Sequence, residues 1–300
     1  MAHGFELLGG AVEVTVVVNT GDDLELHGLY VSPDLDTVMY TLAGLANVET
    51  GWGVMDETWS ASEMLARYGR PTWFKLGDRD LGTHIVRTEA LRNGEKLGAV
   101  TSQLASALGI GARLLPMTDD RVSTKIRTDE GWLDFQDYFV RRHFADTVRE
   151  VRFDGVNDAT PAPGVVEGIG DADLIVIAPS NPFVSVGPVL AVPGILHALL
   201  SARAAVVAIS PIVGGSALRG PAAAMLASLA DEHGSDGVAR HYAKTYAGMV
   251  DLFVLDISDA DQAEAVRAAG LDVFVEQTVL TDESDRRALA ERLLARTMPA

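Results

Sequence analysis

Cysteine is absent from the 300 residues, which excludes disulfides, thiolate nucleophiles and cysteine-bound metals. Basic residues are also scarce: 24 Lys and Arg stand against 42 Asp and Glu, and the net charge is −18. Because nucleic acids are bound by basic surfaces, this balance argues against a nucleic-acid partner. A small phosphorylated ligand remains compatible with it, since salt screens distant surface charge over about 10 Å.

Long apolar runs are missing as well, and no stretch is long enough to cross a bilayer. The first residues show neither the basic n-region nor the apolar h-region of a signal peptide. We therefore expect a cytoplasmic protein that has no membrane partner. Hydrophobic residues still make up 48% of the chain, which is ample material for a buried core.

Short β-branched apolar runs alternate with segments of helical spacing along most of the chain. The predicted strands are Val12–Val18, Leu174–Ala178, Ala205–Ile209, Leu252–Asp256 and Val273–Val275, and a short strand-like stretch is Leu24–Tyr30. The predicted helices are Asp34–Leu45, Asp56–Tyr68, Asp78–Leu91, Ala99–Leu108, Val192–Ala202, Gly220–Leu229, Ala260–Ala269 and Ser284–Ala295. A hairpin of Arg121–Thr128 with Trp132–Phe135, and a short strand Val148–Phe153, interrupt this alternation.

This order of elements predicts the fold class. We expect one α/β domain over residues 1–300, with a doubly wound, Rossmann-like, mostly parallel sheet and helices on both faces. Helical and β-hairpin insertions occupy its middle, around residues 56–153.

Acidic residues cluster where the first predicted strand ends, which is where ligands bind in such a sheet. Asp22 and Asp23 follow the turn Asn19-Thr20-Gly21, and Asp34 and Asp36 open the next helix. Carboxylate oxygens suit Mg²⁺, which usually also binds substrate phosphates. The structural alternative is that Asp22 belongs to a turn and that Asp34 or Asp36 caps the helix.

Cationic and glycine-rich loops supply candidate anion sites. Lys75 and Arg79 lie where a charged loop leads into a predicted helix, and they could receive a phosphate. The alternative is that Asp78 simply caps that helix and Arg79 is one of its solvated residues. Ser180-Asn181-Pro182 and the loop from Gly214-Gly215 to Arg219 offer backbone N–H groups, although Gly-Gly is also common in plain turns. These residues together indicate Mg²⁺-assisted phosphoryl or nucleotidyl chemistry.

Two further features have structural interpretations. Thr118-Asp119-Asp120-Arg121 is interpreted as a surface turn that opens the hairpin. The seven histidines lack metal-binding spacing, and His84 and His197 are interpreted as ordinary core or surface residues of helices.

Several short motifs follow one another along nearly the whole chain. They are Val17–Asp23 with Ser32–Thr37, Lys75–Leu81, Leu115–Arg121, Phe135–Tyr138, Ala178–Pro182 with Ser185–Pro188, and Ser210–Gly215 with Leu218–Gly220. As an ordered set they resemble the 2-phospho-L-lactate transferase family of coenzyme F-420 biosynthesis, which includes the phosphoenolpyruvate-type transferases of bacteria.

The resemblance implies a Mg²⁺-dependent transferase. It implies that a phospholactyl or phosphoenolpyruvyl group passes from a GDP-linked donor to the deazaflavin alcohol Fo, with release of GMP. Catalysis would then rest mostly on alignment and charge neutralisation. A homodimer is expected as the commonest default for such an enzyme.

The resemblance also implies roles for particular residues. Asp36 and Lys75 would contact Fo, and Asp23 and Asp36 would hold the Mg²⁺ and act as the catalytic carboxylates. Asp36 is in addition a candidate to accept the hydroxyl proton of Fo. The residues implied on the donor side are Ser180, Asn181, Gly214, Gly215 and Arg219.

One departure from the family pattern concerns the amino-terminal region. Family members usually open with a strand and a Gly-Gly-x-Gly-Gly loop, which would cradle the nucleotide phosphates. Gly9-Gly10 follows no predicted strand, so we expect both features to be absent from this chain.

Two other functions remain open at this point. One is a sugar-nucleotide-binding regulator of the related gluconeogenesis-factor group, in which a Gly/Ser-rich stretch follows Gly-Asp-Asp. Here Leu24-Glu25-Leu26-His27-Gly28 follows instead, which favours the transferase. The other is a catalytically inactive homologue that binds Fo.

Overall fold

Two parallel sheets form the frame of the computed structural model, which describes residues 1–217 and 220–298. Their strands are β1 Thr15–Val18, β4 Arg113–Pro116, β8 Leu174–Ile177, β9 Ala205–Ile209, β12 Leu252–Asp256 and β13 Asp272–Glu276. Four of them lie in the order β13-β12-β9-β8, and β1 pairs with β4 in the second sheet.

Antiparallel strands form three smaller units. Their bounds are β2 Leu24–Leu26, β3 Leu29–Val31, β5 Ser123–Thr128, β6 Gly131–Asp134, β7 Glu150–Asp154, β10 Ile212–Val213 and β11 Ser216–Ala217. β2 pairs with β3, β10 pairs with β11, and β5 lies between β6 and β7. The predicted hairpin of residues 121–135 is therefore confirmed as β5 and β6.

Helices cover the parallel sheets. Their bounds are α1 Ala2–Glu6, α2 Pro33–Leu42, α3 Ser60–Arg67, α4 Asp80–Arg92, α5 Leu97–Ala107, α6 Val165–Asp171, α7 Gly187–Ala191, α8 Ile195–Ser201, α9 Ala222–Ala230, α10 Gly234–Thr245, α11 Ala263–Ala268 and α12 Glu283–Thr297. No single helix of the described ranges has the length and apolarity to cross a membrane; only α7 with its preceding turn and α8, bent by 88°, meet that test together.

The central strands are buried on both faces, which explains their unbroken apolar sequences. In β12, Phe253 and Leu255 pack against the helices on one face, in a cluster that includes residues of α6, α8, α10 and α11. Val254 points to the other face and packs with residues of α1 and α12. This two-sided packing confirms the predicted α/β class with a parallel, doubly wound sheet.

Several predicted helix bounds were wrong for identifiable reasons. The helix predicted from Asp56 begins at Ser60, because Asp56 has a positive φ of 52°. The segment Val192–Ala202 is broken, because Pro193 has no N–H to donate and Gly194 has a φ of 101°. Helix α2 ends at Leu42, since Gly44 has a φ of 68°.

Other elements were missed or misread. Leu24–Tyr30 is a hairpin whose turn residues His27 and Gly28 both have positive φ, as a type I′ turn requires. Helix α10 was not predicted, because Gly, Ser, Asp and His dilute its apolar periodicity. Of the predicted site residues, Asp23 lies in the loop after β1, Asp36 in the first turn of α2, and Ser180 and Asn181 in the turn after β8.

Candidate functional site

The two acidic clusters meet through Asn19. Its side-chain N–H donates to Asp34 Oδ2 at 3.0 Å and to the carbonyl oxygen of Val184 at 3.3 Å. Its oxygen accepts the N–H of Gly21 at 2.8 Å. A second link joins Ser32, whose hydroxyl donates to Asp23 Oδ2 at 2.7 Å. The loop after β1, the start of α2 and the turn after β8 thus form one continuous polar site.

Gly21 allows the first loop to approach its neighbours closely. A Cβ atom there would lie 2.7 Å from Thr124 Oγ1, 3.1 Å from Asn19 Oδ1 and 3.2 Å from Pro188 Cβ. The Gly21 carbonyl also accepts the N–H of Thr124 at 2.7 Å. Only glycine fits this packing without displacing β5 or α7.

Three carboxyl groups of this site, those of Asp22, Asp23 and Asp34, form no ion pair with a described residue. Burial raises the pKa of Asp23 to about 8, and burial together with the charge of Asp34 raises the pKa of Asp22 well above its usual value. Burial also raises the pKa of Asp34. Oδ1 of Asp22 and Oδ1 of Asp23 are buried and accept no hydrogen bond from the described residues.

Unpartnered hydroxyl groups adjoin these carboxyl groups. The buried Oγ1 atoms of Thr20 and Thr124 likewise have no hydrogen-bond partner within the described ranges. Buried oxygens without partners are unfavourable, and a divalent cation or ordered water would satisfy them. The Asp22–Asp23 loop therefore has the donor set that a hard cation prefers.

Asp36 has a different environment, although it lies on the same helix turn as Asp34. Arg87 on α4 is fully buried, and its guanidinium donates to both carboxylate oxygens of Asp36. The bond from Nη1 to Oδ2 is 3.1 Å long, and a second bond runs from Nη2 to Oδ1. This pairing neutralises the Asp36 carboxylate and leaves one lone pair on each oxygen, so the metal-ligand role of Asp36 stays a prediction.

His84 lies fully buried beside Asp36, so of the two predicted alternatives it is a core residue of its helix. Its Nδ1 is 3.7 Å from Asp36 Oδ2, and its Nε2 is 3.1 Å from Asp80 Oδ2. The Tyr40 hydroxyl donates to Asp80 Oδ1 at 2.7 Å. The spacing of Asp80, His84 and Arg87 places them on one helix face, which was a signal available in the sequence.

Lys75 lies at the edge of the site on an exposed loop. Its Nζ is 5.7 Å from the ring centroid of Trp59, and Lys75 has no ion pair with any described residue. Its neighbours Phe74 and Leu76 pack against the β2–β3 hairpin, which connects the two acidic clusters. The structure therefore places Lys75 beside the hairpin and gives no direct contact with Asp36.

Asp78 and Glu57 fix the loop that carries Lys75. Asp78 accepts the backbone N–H groups of Ser60 and Ala61, so it caps α3 and not the helix that follows it in sequence. Glu57 accepts the N–H groups of Arg79 and Asp80 at the start of α4. The predicted capping role of Asp78 is thus real, but it serves a different helix.

The turn after β8 is held by Asn181. Its side-chain oxygen accepts the N–H groups of Phe183 and Val184 at 2.9 and 3.4 Å, and its amide donates to Met225 Sδ at 3.3 Å. The half-buried Ser180 precedes it. These contacts bring the turn against Asn19, so the predicted donor-side residues Ser180 and Asn181 do adjoin the acidic loops.

The predicted Gly-Gly loop is the turn of a small hairpin. Gly214 and Gly215 have positive φ values of 59° and 76° between β10 and β11. The Gly214 N–H donates to both oxygens of the buried Asp259 at 3.1 Å, so it is already occupied. The plain-turn interpretation therefore accounts for Gly214. Arg219 lies outside the described residues.

The turn Thr118–Arg121 has the structural role predicted for it. Asp120 accepts the N–H of Thr160 at 2.9 Å, and Asp119 accepts the N–H of Gly98 at 2.7 Å.

Comparison with known proteins gives a family over the whole length. A family model described as 2-phospho-L-lactate transferase CofD matches residues 1–296. A phosphoenolpyruvate transferase of Streptomyces griseus subsp. griseus is 46% identical over 297 residues, covering 97% of this chain and 92% of that protein. A phosphoenolpyruvate transferase of Kitasatospora aureofaciens is 45% identical over 293 residues, covering 96% of this chain and 90% of that protein.

A solved structure shares the fold. The crystal structure of a UPF0052 family member from Bacillus halodurans superimposes with a TM-score of 0.66, covering 98% of this chain and 96% of that chain. Its sequence identity is 17%, so the similarity establishes the fold alone.

Proposed function

The chain belongs to the 2-phospho-L-lactate transferase family, and we propose that it transfers a phosphoenolpyruvyl group from a GDP-linked donor to Fo in coenzyme F-420 biosynthesis. The observation that carries this proposal is the convergence of the loop after β1, the start of α2 and the turn after β8 around Asn19. The relatives named phosphoenolpyruvate transferase support the choice of acid.

Asp22 and Asp23 are the residues we propose for Mg²⁺. Both present a buried oxygen that no described residue satisfies, and both carry pKa values raised by burial, which a bound cation would lower. When bound, Mg²⁺ would neutralise phosphate charge. Asp36 is left out of this set because the charge of Arg87 already neutralises its carboxylate.

Asp36 and Lys75 are proposed for the acceptor. Asp36 would accept a hydrogen bond from the ribityl alcohol of Fo, and the flat deazaflavin ring would lie near Trp59 and Lys75. Support comes from the aromatic surface there: Trp52 is 45% exposed, and its ring centroid is 6.3 Å from that of the half-buried Trp59. Exposed aromatic groups favour stacking with planar ligands.

The donor would lie on the opposite side, along the turn that carries Ser180 and Asn181. Their loop adjoins Asn19, which supports a phosphate position between the turn and the acidic loop. Gly215 and Arg219 remain proposals for donor contacts. Gly214 would have to give up its bond to Asp259 to contribute its N–H.

The chemistry balances without a covalent enzyme intermediate. The alcohol oxygen of Fo attacks the phosphorus that bears the three-carbon acid, and the bond from that phosphorus to the GMP oxygen breaks. The hydroxyl proton passes to the Asp36 carboxylate during the attack, and GMP keeps the electron pair of the broken bond. Alignment of the two substrates and neutralisation of phosphate charge provide the catalysis.

A turnover assay tests the proposal. Purified protein, Fo and Mg²⁺ are mixed with a GDP-linked phosphoenolpyruvyl or phospholactyl donor, and GMP and the deazaflavin product are measured by chromatography. We expect GMP release that requires Fo, with phosphoenolpyruvyl preferred, and a large loss of rate in Asp23→Asn. Fo binding without GMP release would indicate an inactive homologue, and no Fo binding would favour the sugar-nucleotide regulator.

A further inference from the structure

The interface between α2 and α4 contains an unusual set of buried ionisable groups. Asp36 and Tyr40 come from α2, and Asp80, His84 and Arg87 come from α4; all five are buried. Arg87 and His84 are each only 1% exposed. Apolar side chains commonly stabilise a helix–helix interface at least as well as buried charges do. The buried charges here therefore point to a functional role and not to a gain in stability.

The contacts form one continuous chain that ends at Asp36. Tyr40 donates to Asp80 at 2.7 Å, Asp80 lies 3.1 Å from His84 Nε2, and His84 Nδ1 lies 3.5 Å from Arg87 NH1. Arg87 then binds both oxygens of Asp36. We call these four residues, Tyr40, Asp80, His84 and Arg87, the α2–α4 network.

A second metal site is the simplest alternative for this cluster, since Asp36, Asp80 and His84 offer ligand atoms within 4.8 Å of one another. Arg87 opposes it. Its positively charged guanidinium already pairs with Asp36 and lies close to His84 Nδ1. A divalent cation bound to these residues would therefore be repelled by the buried charge of Arg87. The cluster is therefore better explained as a clamp of close polar contacts, in which Arg87 donates hydrogen bonds to Asp36 while His84 Nε2 has no hydrogen bond to a described residue.

We propose that Arg87 is a positioning residue, which holds the Asp36 carboxylate in one orientation so that its free edge receives the acceptor alcohol. The bidentate pairing fixes the plane of the carboxylate, which a single lysine ammonium would not do. This inference rests on the proposed function, because it assigns Asp36 to the acceptor side of that reaction.

His84, Asp80 and Tyr40 extend the clamp. His84 lies against both Arg87 and Asp36, so it restricts the movement of the guanidinium. Asp80 and Tyr40 in turn restrict the imidazole, and the Thr83 hydroxyl lies 2.7 Å from that of Tyr40. A positioned carboxylate keeps the reacting alcohol aligned with phosphorus, and small displacements of such groups lower rates strongly.

The test separates positioning from simple structural support. Arg87→Lys keeps a positive charge but loses the two-pronged contact, and Tyr40→Phe removes one hydroxyl at the far end of the network. For Arg87→Lys we expect the KM for Fo to rise about tenfold and kcat to fall at least tenfold, with the KM for the donor within twofold of wild type. Tyr40→Phe should shift the same constants in the same direction by about two- to fivefold.

A matched control comes from α5. Thr101 is 2% exposed, and its hydroxyl donates to the Leu97 carbonyl at 2.8 Å, so Thr101→Val removes a buried hydrogen bond away from the α2–α4 network. We expect this variant to lose stability without any change in the KM for Fo. Melting temperatures of all variants show whether each one is folded.

A double-mutant cycle tests whether Arg87 acts through Asp36. Asp36→Asn should already remove most of the aligned contact, so adding Arg87→Lys should slow turnover by less than about threefold more. If the double variant lost turnover by the product of the two single-variant losses, Arg87 would act independently of Asp36, and the proposal would fail. An unchanged KM for Fo in a folded Arg87→Lys variant would overturn it equally.

The wild-type protein in the same assay distinguishes this failure from that of the proposed function. If wild type releases no GMP with Fo and either donor, the proposed function fails and the positioning role fails with it. If wild type turns over normally while Arg87→Lys matches it in every constant, only the positioning role fails.

Discussion

Glu57 and Asp78 cap each other's helices. Asp78 lies directly before α4 but accepts N–H groups at the start of α3, while Glu57 lies before α3 and accepts N–H groups at the start of α4. The exchange ties the segment that bears Trp59 to the loop that bears Lys75. The proposed acceptor edge is therefore held by two crossed caps in addition to the apolar contacts of Phe74 and Leu76.

Gly77 leaves room for the Glu57 side chain in its cap, so replacing Gly77 should disrupt that cap. A Cβ atom at Gly77 would lie 2.0 Å from Glu57 Cδ, so Gly77→Ala should force Glu57 out of its cap and destabilise the protein by about 1 kcal/mol. Urea denaturation measures this change. In a Glu57→Ala background the same substitution should cost nothing further; an additive loss would contradict the crossed caps.

Gly21 should be intolerant of even a methyl group. Gly21→Ala places a Cβ atom 2.7 Å from Thr124 Oγ1, so we expect a loss of about 1–3 kcal/mol of unfolding free energy and a strong loss of turnover. Denaturation and GMP release measure the two effects. Gly170→Ala is the matched control, because Gly170 lies in α6 with no atom within 4 Å of its added Cβ. It should be neutral or slightly stabilising.

The raised pKa of Asp23 predicts how stability depends on pH. In the folded protein Asp23 takes up its proton at about pH 8 and in the unfolded chain near 3.8, so the folded state holds the extra proton between these values. Stability contributed by Asp23 is therefore present at low pH and is lost as pH rises from about 4 to 8. The slope is at most about 1.4 kcal/mol per pH unit.

Asp23→Asn should remove that slope. Urea denaturation at pH 5 and pH 8 without divalent ions should show wild type losing stability more steeply than the variant. Equal slopes would show that Asp23 does not hold the proton.

Mg²⁺ should reverse the loss at high pH, because it replaces the proton as the partner of the carboxylate. At pH 8 we expect the melting temperature of wild type to rise with added Mg²⁺, following the usual dependence on ligand concentration. Asp23→Asn should show a much smaller rise, while Asp36→Asn should respond as wild type does. If Asp36→Asn alone lost the rise in melting temperature with Mg²⁺, Asp36 and not Asp23 would be the metal ligand.

Trp59 should contribute to acceptor binding through its ring. Trp59→Leu keeps apolar bulk but removes the flat surface beside Lys75, so we expect the KM for Fo to rise about tenfold, equivalent to roughly 1.4 kcal/mol. Trp132→Leu is the control, because Trp132 lies on β6 under Arg152 at 4.3 Å. Similar KM values in the two variants would place the deazaflavin ring elsewhere.

Much of the parallel framework was predictable from local patterns. Strands such as Ala205–Ile209 and Leu252–Asp256 were predicted with their observed bounds, because burial on both faces leaves an unbroken apolar run. Helix bounds were less accurate, since single residues such as Asp56 and Gly194 ended helices through backbone conformations that periodicity does not reveal.

The acidic loops were also predictable as a group, because parallel strands bring their carboxyl ends to one edge. Their individual roles were not. Asp34 and Asp36 are two residues apart, yet one faces Asn19 and the other faces Arg87, which lies 51 positions further along the chain.

The sequence by itself thus determined the α/β class, the family resemblance and the chain segments that carry the site, since these depend on local composition and spacing. Only the folded chain shows that Asp36 is paired with Arg87, while Asp22, Asp23 and Asp34 form no ion pair within the described residues. The physical reason is that burial and charge pairing depend on residues remote in sequence, so the proposed division between Asp23 for the metal and Asp36 for the acceptor required the packing of α2 against α4.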